Sequence, residues 1–330
     1  MARIEPAIAR DGAFLKKTLA IRRSALSSQN SLMRTCYKEE ELTQRVDQLP
    51  VLPAVVSRIL ALNPADPRYV EQIVRLAEGD PSFAVRILRA ANSSTNSSIS
   101  PVVTVRQAVT RLGAQACADL VIEMSVSKVF VPRNIAQKDL WTHALQVAVS
   151  ARVIASLAIN SGVAPEEAYL GGLVHDIGRF VMFEAATADF NLVEENDWKT
   201  PQALLDTERS ALGYDHTEIG ATICRKWSLP PILIETVKRH HSYQLDDRGA
   251  TTTVEQEFIR IVQMADLLSV WMMRNPERTE LDPYELSAEL SARCVRREWR
   301  RTPVSPSVLA PRVASIRDES DAHIKRLFPV

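Results

Sequence analysis

Apolar side chains recur at helical spacing along most of the 330-residue chain. The segment 140–160 is the clearest example, because its apolar residues follow one another at intervals of three or four. They are Leu140, Ala144, Val147, Ala151, Ile154 and Ala158. Asp80-Pro81 predicts a helix start, with an N-cap and a first helical residue, and Gly113 predicts a helix end. Alternating runs with hairpin turns do not interrupt this pattern, so the sequence predicts an all-α protein.

The predicted helices divide the chain into lobes. They cover residues 104–112, 114–129, 140–160, 165–185, 201–212, 216–227, 231–241 and 254–273. A proline-containing stretch at 132–137 predicts the boundary between a smaller N-terminal lobe and the rest of the chain. Residues 1–44 predict a helical arm, and residues 276–330 predict a helical extension.

Composition and charge place few limits on function. Forty basic residues balance forty acidic ones, so net charge gives no indication of a nucleic-acid partner. The N-terminus lacks the apolar core of a secretion signal, and polar residues such as His143 and Arg152 interrupt the apolar segment 141–159. The four cysteines are scattered without a C-x-x-C pair, as expected for reduced thiols. These features predict a soluble cytoplasmic protein without a membrane partner.

Two carboxylates lie in segments that predict burial. His175-Asp176 falls within YLGGLVHDIGRFVMF, and Asp266 falls on the apolar face of FIRIVQMADLLSV. Burying an ionised carboxylate is costly unless it is paired or bound to a metal. A lone histidine on an apolar helix, such as His143, is usually a packed or hydrogen-bonded residue and does not by itself indicate a ligand. The carboxylates therefore predict partners inside the protein.

Five of the six histidines lie between positions 143 and 241. With the carboxylates they give seven candidate metal ligands, namely His143, His175, Asp176, His216, His240, His241 and Asp266. Imidazole and carboxylate ligands without cysteine favour manganese, iron, zinc or magnesium. His240 and His241 would project about 100° apart on a helix, which favours ligands to neighbouring ions. The set is large enough for two ions bridged by Asp176, which could activate water and clamp a phosphoryl group.

The order His, His-Asp, His, His-His, Asp resembles the HD superfamily of metal-dependent phosphohydrolases. The surrounding segments resemble, one after another, the HDOD family, whose members act as output modules in bacterial signal transduction. These segments are LPVLPAVVSRIL, GDPSFAVRILRAANSS, VRQAVTRLGAQA, LWTHALQVAVSARVIA, AYLGGLVHDIGR, ERSALGYDHTEIGATICRKWSLPPILIETVKRHH and IVQMADLLSV. The resemblance covers residues 45–275. It implies a helical lobe over 45–135 packed on an HD-like helical bundle over 138–275.

The resemblance also implies roles for the candidate ligands. By motif position, the ligands of one ion would be His143, His175, Asp176 and Asp266. Those of a second ion would be Asp176, His216, His240 and His241. Arg179 stands where catalytic relatives of the HD-GYP kind often carry lysine. In an enzyme, Asp176 and Arg179 would be catalytic, and activated water would attack phosphorus.

Two functions remain open at this point. HD-GYP phosphodiesterases carry a glycine-tyrosine-proline loop after the His-His pair, whereas His241 is followed here by SYQLDDRGATTTVEQEF. The HDOD resemblance implies a regulatory module without demonstrated hydrolase activity. The sequence therefore favours a non-catalytic output protein that retains a metal site and binds a signalling protein or a nucleotide second messenger. The alternative is a metal-dependent phosphohydrolase acting on a nucleotide or another phosphoester.

A basic cluster, RCVRREWRR, lies near the C-terminal end. On a helix its five arginines would share one face. They are Arg293, Arg296, Arg297, Arg300 and Arg301. Such a face can dock an acidic partner, a nucleotide or nucleic acid. It is more often a solvated surface, balanced here by the acids of the preceding segment, Glu280, Asp282, Glu285 and Glu289.

Overall fold

The computed structural model describes residues 54–60, 62–79, 81–93, 102–185, 190, 193–194, 198, 200–227, 229–245 and 253–328. Within these ranges every regular element is a helix and no strand is present. The prediction of an all-α fold is therefore confirmed. The helical arm predicted over 1–44 lies outside the described residues.

Five helices form the N-terminal part of the described chain. They are α1 (Ala54–Leu60), α2 (Tyr69–Glu78), α3 (Pro81–Ser93), α4 (Val105–Leu112) and α5 (Ala114–Val129). A capping box starts α4, because the Thr104 hydroxyl accepts the Gln107 backbone N–H while the Gln107 side chain accepts the Thr104 backbone N–H. Gly113 separates α4 from α5 with a φ of 91°, a conformation that favours glycine. Helix α5 packs against both α1 and α2.

Seven helices with described bounds belong to the bundle that carries the candidate ligands. They are α6 (Ile135–Leu157), α7 (Pro165–Val174), α8 (Ile177–Ala185), α9 (Pro201–Leu212), α10 (His216–Lys226), α11 (Pro231–Arg239) and α12 (Val254–Arg274). Helix α6 lies at the centre, packed against α7 and α12, with Trp141 and Leu145 fully buried. In the part of the chain that the structure describes, no helix is both long and apolar enough to span a bilayer.

The C-terminal extension folds back onto the bundle. It comprises the 3-10 turn Pro276–Glu280, α13 (Pro283–Arg293), α14 (Pro306–Leu309), the 3-10 turn Ala310–Arg312 and α15 (Val313–Leu327). Helix α15 packs along α6 and also contacts α5. At this junction Arg152 of α6 forms ion pairs with Asp119 of α5 and Glu319 of α15. The extension therefore connects the N-terminal helices with the bundle.

The helix predicted over 165–185 is two helices, α7 and α8, separated at His175-Asp176. Gly172 lets α7 approach α6, since a Cβ there would lie 2.7 Å from the Cα of Ala148. Gly178 lets α8 approach α10, since a Cβ there would lie 1.9 Å from the carbonyl oxygen of His216. The prediction of one helix was wrong because apolar periodicity continues through the break, whereas these two packing contacts set the direction of the chain.

The five arginines of the basic cluster do not share a helical face, because α13 ends at Arg293 and residues 294–304 are not helical. Cys294 and Trp299 are both buried, and Trp299 Nε1 donates to Gln263 Oε1 at 3.1 Å. A continuous helix would place these two positions about 140° apart. Burying both side chains on the bundle therefore takes the chain out of the helix, and the prediction of a basic helical face was wrong.

Candidate metal centre

The fold brings the seven candidate ligands into one buried cluster. Their positions are α6 for His143, the turn between α7 and α8 for His175 and Asp176, the first residue of α10 for His216, the end of α11 for His240 and His241, and α12 for Asp266. Two groups of ligand atoms form, and within each the atoms lie within 4.8 Å of one another. The first site is His143, His175 and Asp176, and the second site is Asp176, His216, His240 and His241. Asp176 belongs to both sites.

The first site is built around two facing imidazoles. His143 Nε2 lies 3.2 Å from His175 Nε2, and Asp176 Oδ2 lies 3.7 Å from each of these nitrogens. Asp266 adjoins this site through Oδ1, which lies 3.3 Å from His143 Nε2. Its other oxygen, Oδ2, lies 3.8 Å from His241 Nδ1. Asp266 therefore stands beside both sites.

The second site repeats this arrangement. His216 Nε2 and His240 Nε2 lie 3.3 Å apart, and each is 3.3 Å from Asp176 Oδ1. The His241 ring centre lies 4.1 Å from that of His240. Helical spacing favoured His240 and His241 as ligands to neighbouring ions, whereas the family resemblance implied that both would hold the second ion. In the structure both lie in the second group of ligand atoms, just after the end of α11 at Arg239.

Backbone carbonyls orient two of the imidazoles. His175 Nδ1 donates to the carbonyl oxygen of Gly172 at 2.7 Å, and His240 Nδ1 donates to that of Val237 at 2.7 Å. Because a carbonyl oxygen only accepts, each Nδ1 carries the ring proton in the neutral tautomer. Both Nε2 lone pairs consequently face the cluster.

Side chains orient two more imidazoles in the same way. His143 Nδ1 donates to Ser269 Oγ at 3.0 Å, and the Ser269 hydroxyl donates in turn to Gln146 Oε1 at 2.9 Å. His216 Nδ1 donates to a Glu208 carboxylate oxygen at 2.6 Å. Hydrogen bonds of this kind from the outer nitrogen fix ring orientation in metal-binding histidines.

The donors fit divalent cations. Two neutral Nε2 atoms cannot hydrogen-bond to each other, yet they face each other at 3.2 Å in the His143–His175 pair and 3.3 Å in the His216–His240 pair. Two nitrogens that bind one ion at about 2.1 Å are at most about 4.2 Å apart, and both pairs meet this limit. Asp176 Oδ1 is buried without a hydrogen-bond partner and offers a further lone pair. Each site can therefore hold one ion, with Asp176 shared.

Both carboxylates of the cluster are held in the ionised form. Burial opposes the charge of Asp176, but His175 and His216 outweigh it and hold the pKa of Asp176 well below its usual range. Burial likewise opposes the charge of Asp266, but the hydrogen bond and charge of His143 lower its pKa. The cluster therefore contains negative charge suited to divalent cations.

His175 of the first site and His216 of the second site differ in basicity. Burial lowers the pKa of His175 to about 4. Burial also opposes a positive charge on His216, but the carboxylates of Glu208 and Asp176 outweigh it and raise the pKa of His216. Because metal binding requires a free lone pair, cation binding at the second site competes with protonation of His216.

Glu208 is a site residue that the sequence prediction missed. Its side chain is fully buried on α9, between Leu204 and Leu212. The sequence did contain a signal for Glu208. Leu204, Glu208 and Leu212 are spaced by four residues, which places the carboxylate within an apolar stripe of the helix, as for Asp266. Ser269 gave no comparable signal, since a small neutral hydroxyl is often buried without such a role.

Arg179 extends into the cluster, but carboxylates already match its charge. Its guanidinium pairs with Glu194, lies 3.7 Å from Asp176 Oδ2 and lies 4.0 Å from Glu208 Oε1. Burial opposes the charged form, but these three carboxylates outweigh it and raise the pKa of Arg179. Arg179 therefore holds Asp176 in place, and its catalytic role stays a prediction.

A cavity of about 400 Å³ opens onto the cluster. His143, Asp176, His241 and Asp266 line it. Because Asp176 and His143 belong to the first site and Asp176 and His241 to the second, a ligand in the cavity reaches both sites. A catalytic metal site needs such a route in addition to its ligands.

The family model of the HDOD domain matches residues 49–243, which is more than half of the chain. The chain belongs to the HDOD family. An uncharacterized protein of Treponema pallidum (strain Nichols) is 29% identical over 141 residues, which is 42% of this HDOD chain and 27% of that protein. The match therefore spans only about a quarter of that relative's length.

Solved structures share the fold. An HDOD domain protein of unknown function from Geobacter sulfurreducens is 24% identical with a TM-score of 0.63, covering 88% of this chain and 97% of that chain. A candidate phosphohydrolase from Shewanella amazonensis SB2B is 24% identical with a TM-score of 0.62, and the match covers 87% of this chain and 98% of that chain. A candidate signal transduction protein from Marinobacter aquaeolei VT8 is 22% identical with a TM-score of 0.63, and the match covers 93% of this chain and 66% of that chain. At these identities the likeness establishes the HDOD helical fold, and function is argued from the site.

Proposed function

We propose that this HDOD protein is a metal-dependent phosphohydrolase that acts on a phosphoester at the two sites. The observation that carries the proposal is the cavity of about 400 Å³ lined by His143, Asp176, His241 and Asp266. Sequence reasoning favoured a non-catalytic module because the glycine-tyrosine-proline loop is missing after His241 and because the HDOD resemblance implies a regulatory role. A complete ligand set together with access for a ligand is the arrangement that two-metal phosphoryl chemistry requires.

Each residue of the cluster has a role in this proposal. His143, His175 and Asp176 would hold one ion with Asp266 beside it, and Asp176 would share a second ion with the three histidines of the second site. Manganese, iron, zinc or magnesium bound there would polarise a phosphoryl group and lower the pKa of water. The Asp176 carboxylate, held ionised, would keep the two ions adjacent. Arg179, 3.7 Å from Asp176 Oδ2, would hold that carboxylate in position.

A non-catalytic output module is the second candidate, and the pairing of Arg179 favours it. With Asp176, Glu194 and Glu208 around its guanidinium, Arg179 has no unmatched charge to offer the developing negative charge of a transition state. In this candidate the cavity would bind a nucleotide second messenger, or another surface would bind a signalling protein. The metal ions would then support the fold.

Metal content combined with turnover tests both candidates. Protein loaded with each of the four metals is assayed on bis(p-nitrophenyl) phosphate and on cyclic dinucleotides. Asp206→Ala serves as a control, since Asp206 lies on the exposed face of α9. Metal-dependent turnover that survives in the control and disappears in His175→Ala and Asp176→Ala supports the phosphohydrolase. Bound metal without turnover would support the non-catalytic output module. If the protein binds no metal under any loading condition, both metal sites are overturned.

A further inference from the structure

Two arginines that line the cavity have no carboxylate partner. Arg274 is the last residue of α12, and Arg296 lies in the segment after α13. Among the residues that the structure describes, neither forms an ion pair with an aspartate or a glutamate. Arg179, in contrast, is paired with three carboxylates. The cavity therefore has two positive groups left to meet a ligand.

The acidic residues that line the cavity do not cancel these charges. Asp176 and Asp266 belong to the metal cluster, and Glu194 pairs with Arg179. Asp139 and Arg274 are both exposed to solvent, and among the described residues Asp139 forms no ion pair with Arg274 or Arg296. An anionic group entering the cavity thus finds Arg274 and Arg296 unneutralised.

Packing fixes the position of Arg296. Its guanidinium lies 5.0 Å from the ring centre of Tyr243, which follows His241 by two residues. The buried Trp299 packs against the same Tyr243 ring, with ring centres 6.4 Å apart. A guanidinium positioned in advance loses less freedom when it binds an anion. The segment that sequence reasoning placed on a basic helical face therefore presents one arginine beside the metal cluster.

Helix α12 sets the distance between the metal cluster and the arginines. Asp266 and Arg274 are eight residues apart, about 12 Å along the helix axis. Val270 and Met273 lie between them and line the cavity. Arg274 and Asp266 both line the cavity, so the guanidinium and the metal cluster face the same space. The part of the cavity between Asp266 and Arg274 is therefore bounded by apolar groups.

We propose that Arg274 and Arg296 form an anion subsite, so that the ligand of this cavity is an organic phosphate with a second negatively charged group. The inference rests on the proposed function, because it places the first phosphoryl group at the two metal sites. The body of the ligand lies against Val270 and Met273, and its second anionic group meets the two arginines. A volume of about 400 Å³ is at the lower end of the range for small-molecule sites, about 300–1,000 Å³. A ligand of the size of one nucleotide fits that space.

Calorimetric titration of the metal-loaded full chain tests the subsite with two probes, adenosine 5′-monophosphate and adenosine 3′,5′-bisphosphate. The bisphosphate is expected to bind at least about 10-fold more tightly, since hydrogen bonds to charged groups are worth about 1.5–3 kcal/mol. In Arg296→Gln and in Arg274→Gln the preference should fall below about 3-fold. Arg297→Gln is the matched control, because Arg297 is exposed and does not line the cavity. Product analysis after each titration identifies any turnover.

Equal affinity for the two nucleotides in the wild-type protein would overturn the subsite. So would a preference that falls equally in Arg297→Gln, since a general electrostatic effect would then explain it. Metal content and melting temperature of each variant establish that the metal cluster is intact. If the preference depends on Arg296 while no substrate is hydrolysed, the subsite stands and the proposed hydrolase fails. If neither nucleotide binds, the subsite fails whatever the metal content.

Discussion

The carboxylate of Glu208 accepts two hydrogen bonds from His216, one from ring Nδ1 at 2.6 Å and one from the backbone N–H at 2.9 Å. His216 is the first residue of α10, so the same oxygen orients the ring and satisfies a free N–H of the helix terminus. The ring is thereby turned so that Nε2 lies 3.3 Å from Asp176 Oδ1. Glu208 is therefore a positioning residue of the second site.

Replacing Glu208 with Gln should weaken metal binding at the second site by about 10–100-fold, because outer partners of this kind tune ligand basicity and orientation. Metal affinity measured by competition with a chelator checks the prediction. Asp206→Asn is the control, since Asp206 lies on the same helix with an exposed side chain. A Glu208→Gln protein that binds two ions with wild-type affinity would contradict the positioning role.

Asp176 contributes to both sites, so its loss should differ from the loss of a ligand to one site. We expect two ions per wild-type chain, about one in His143→Ala, about one in His216→Ala, and none in Asp176→Ala. Metal analysis by mass spectrometry after gel filtration gives these ratios. If Asp176→Ala retained one tightly bound ion, the carboxylate would belong to a single site.

Gly178 is expected to tolerate no side chain. A Cβ there would lie 1.9 Å from the carbonyl oxygen of His216, a backbone atom that cannot move without displacing α10. Gly178→Ala should therefore lower the free energy of unfolding by at least about 3 kcal/mol, the upper end of overpacking costs. Gly79→Ala is the control, because its Cβ would lie 3.4 Å from the nearest atom and its φ is −71°. Urea denaturation of the two variants should separate them clearly; similar unfolding midpoints would show that α8 and α10 are less closely packed.

The pKa of His175, lowered to about 4 by burial, predicts how the metal-free protein responds to acid. An unfolded histidine has a pKa of about 6.5, so the unfolded chain takes up a proton before the folded one. The contribution of His175 to the free energy of unfolding should therefore fall by on the order of 3 kcal/mol as the pH drops from about 6.5 to about 4. Burial also lowers the pKa of His241, which acts in the same direction, whereas the raised pKa of His216 acts above this range. The lowered pKa values of Asp176 and Asp266 act below this range, because their stabilisation is lost only as the pH falls below the usual carboxyl pKa.

Chemical denaturation of chelator-treated protein at several pH values measures this slope. His175→Gln is the matched variant, because glutamine takes up no proton. Its stability should change less across the same pH range. A parallel pH dependence of the two proteins would show that His175 does not titrate in the expected direction.

Local sequence patterns determined where several helices begin and end. Helices α9 and α5 begin and end where the sequence predicts, because proline, glycine and amphipathic spacing act within a few residues. The same local logic indicated Asp176 and Asp266, since a carboxylate within an apolar stripe needs a partner. The identity and order of the candidate ligands could thus be predicted before any contact was known.

Only the tertiary structure decided how closely those ligands approach one another and what lies around them. The chain turns at His175-Asp176 because Gly172 and Gly178 make close contacts with two different helices. The periodicity of apolar residues continues through this turn and so does not predict it. Glu208 on α9 and Ser269 on α12 accept hydrogen bonds from His216 and His143 and so orient two of the rings. Burial of Cys294 and Trp299 brings Arg296 to the cavity. Each outcome depends on packing between residues distant in the chain, whose direction and separation no local pattern encodes.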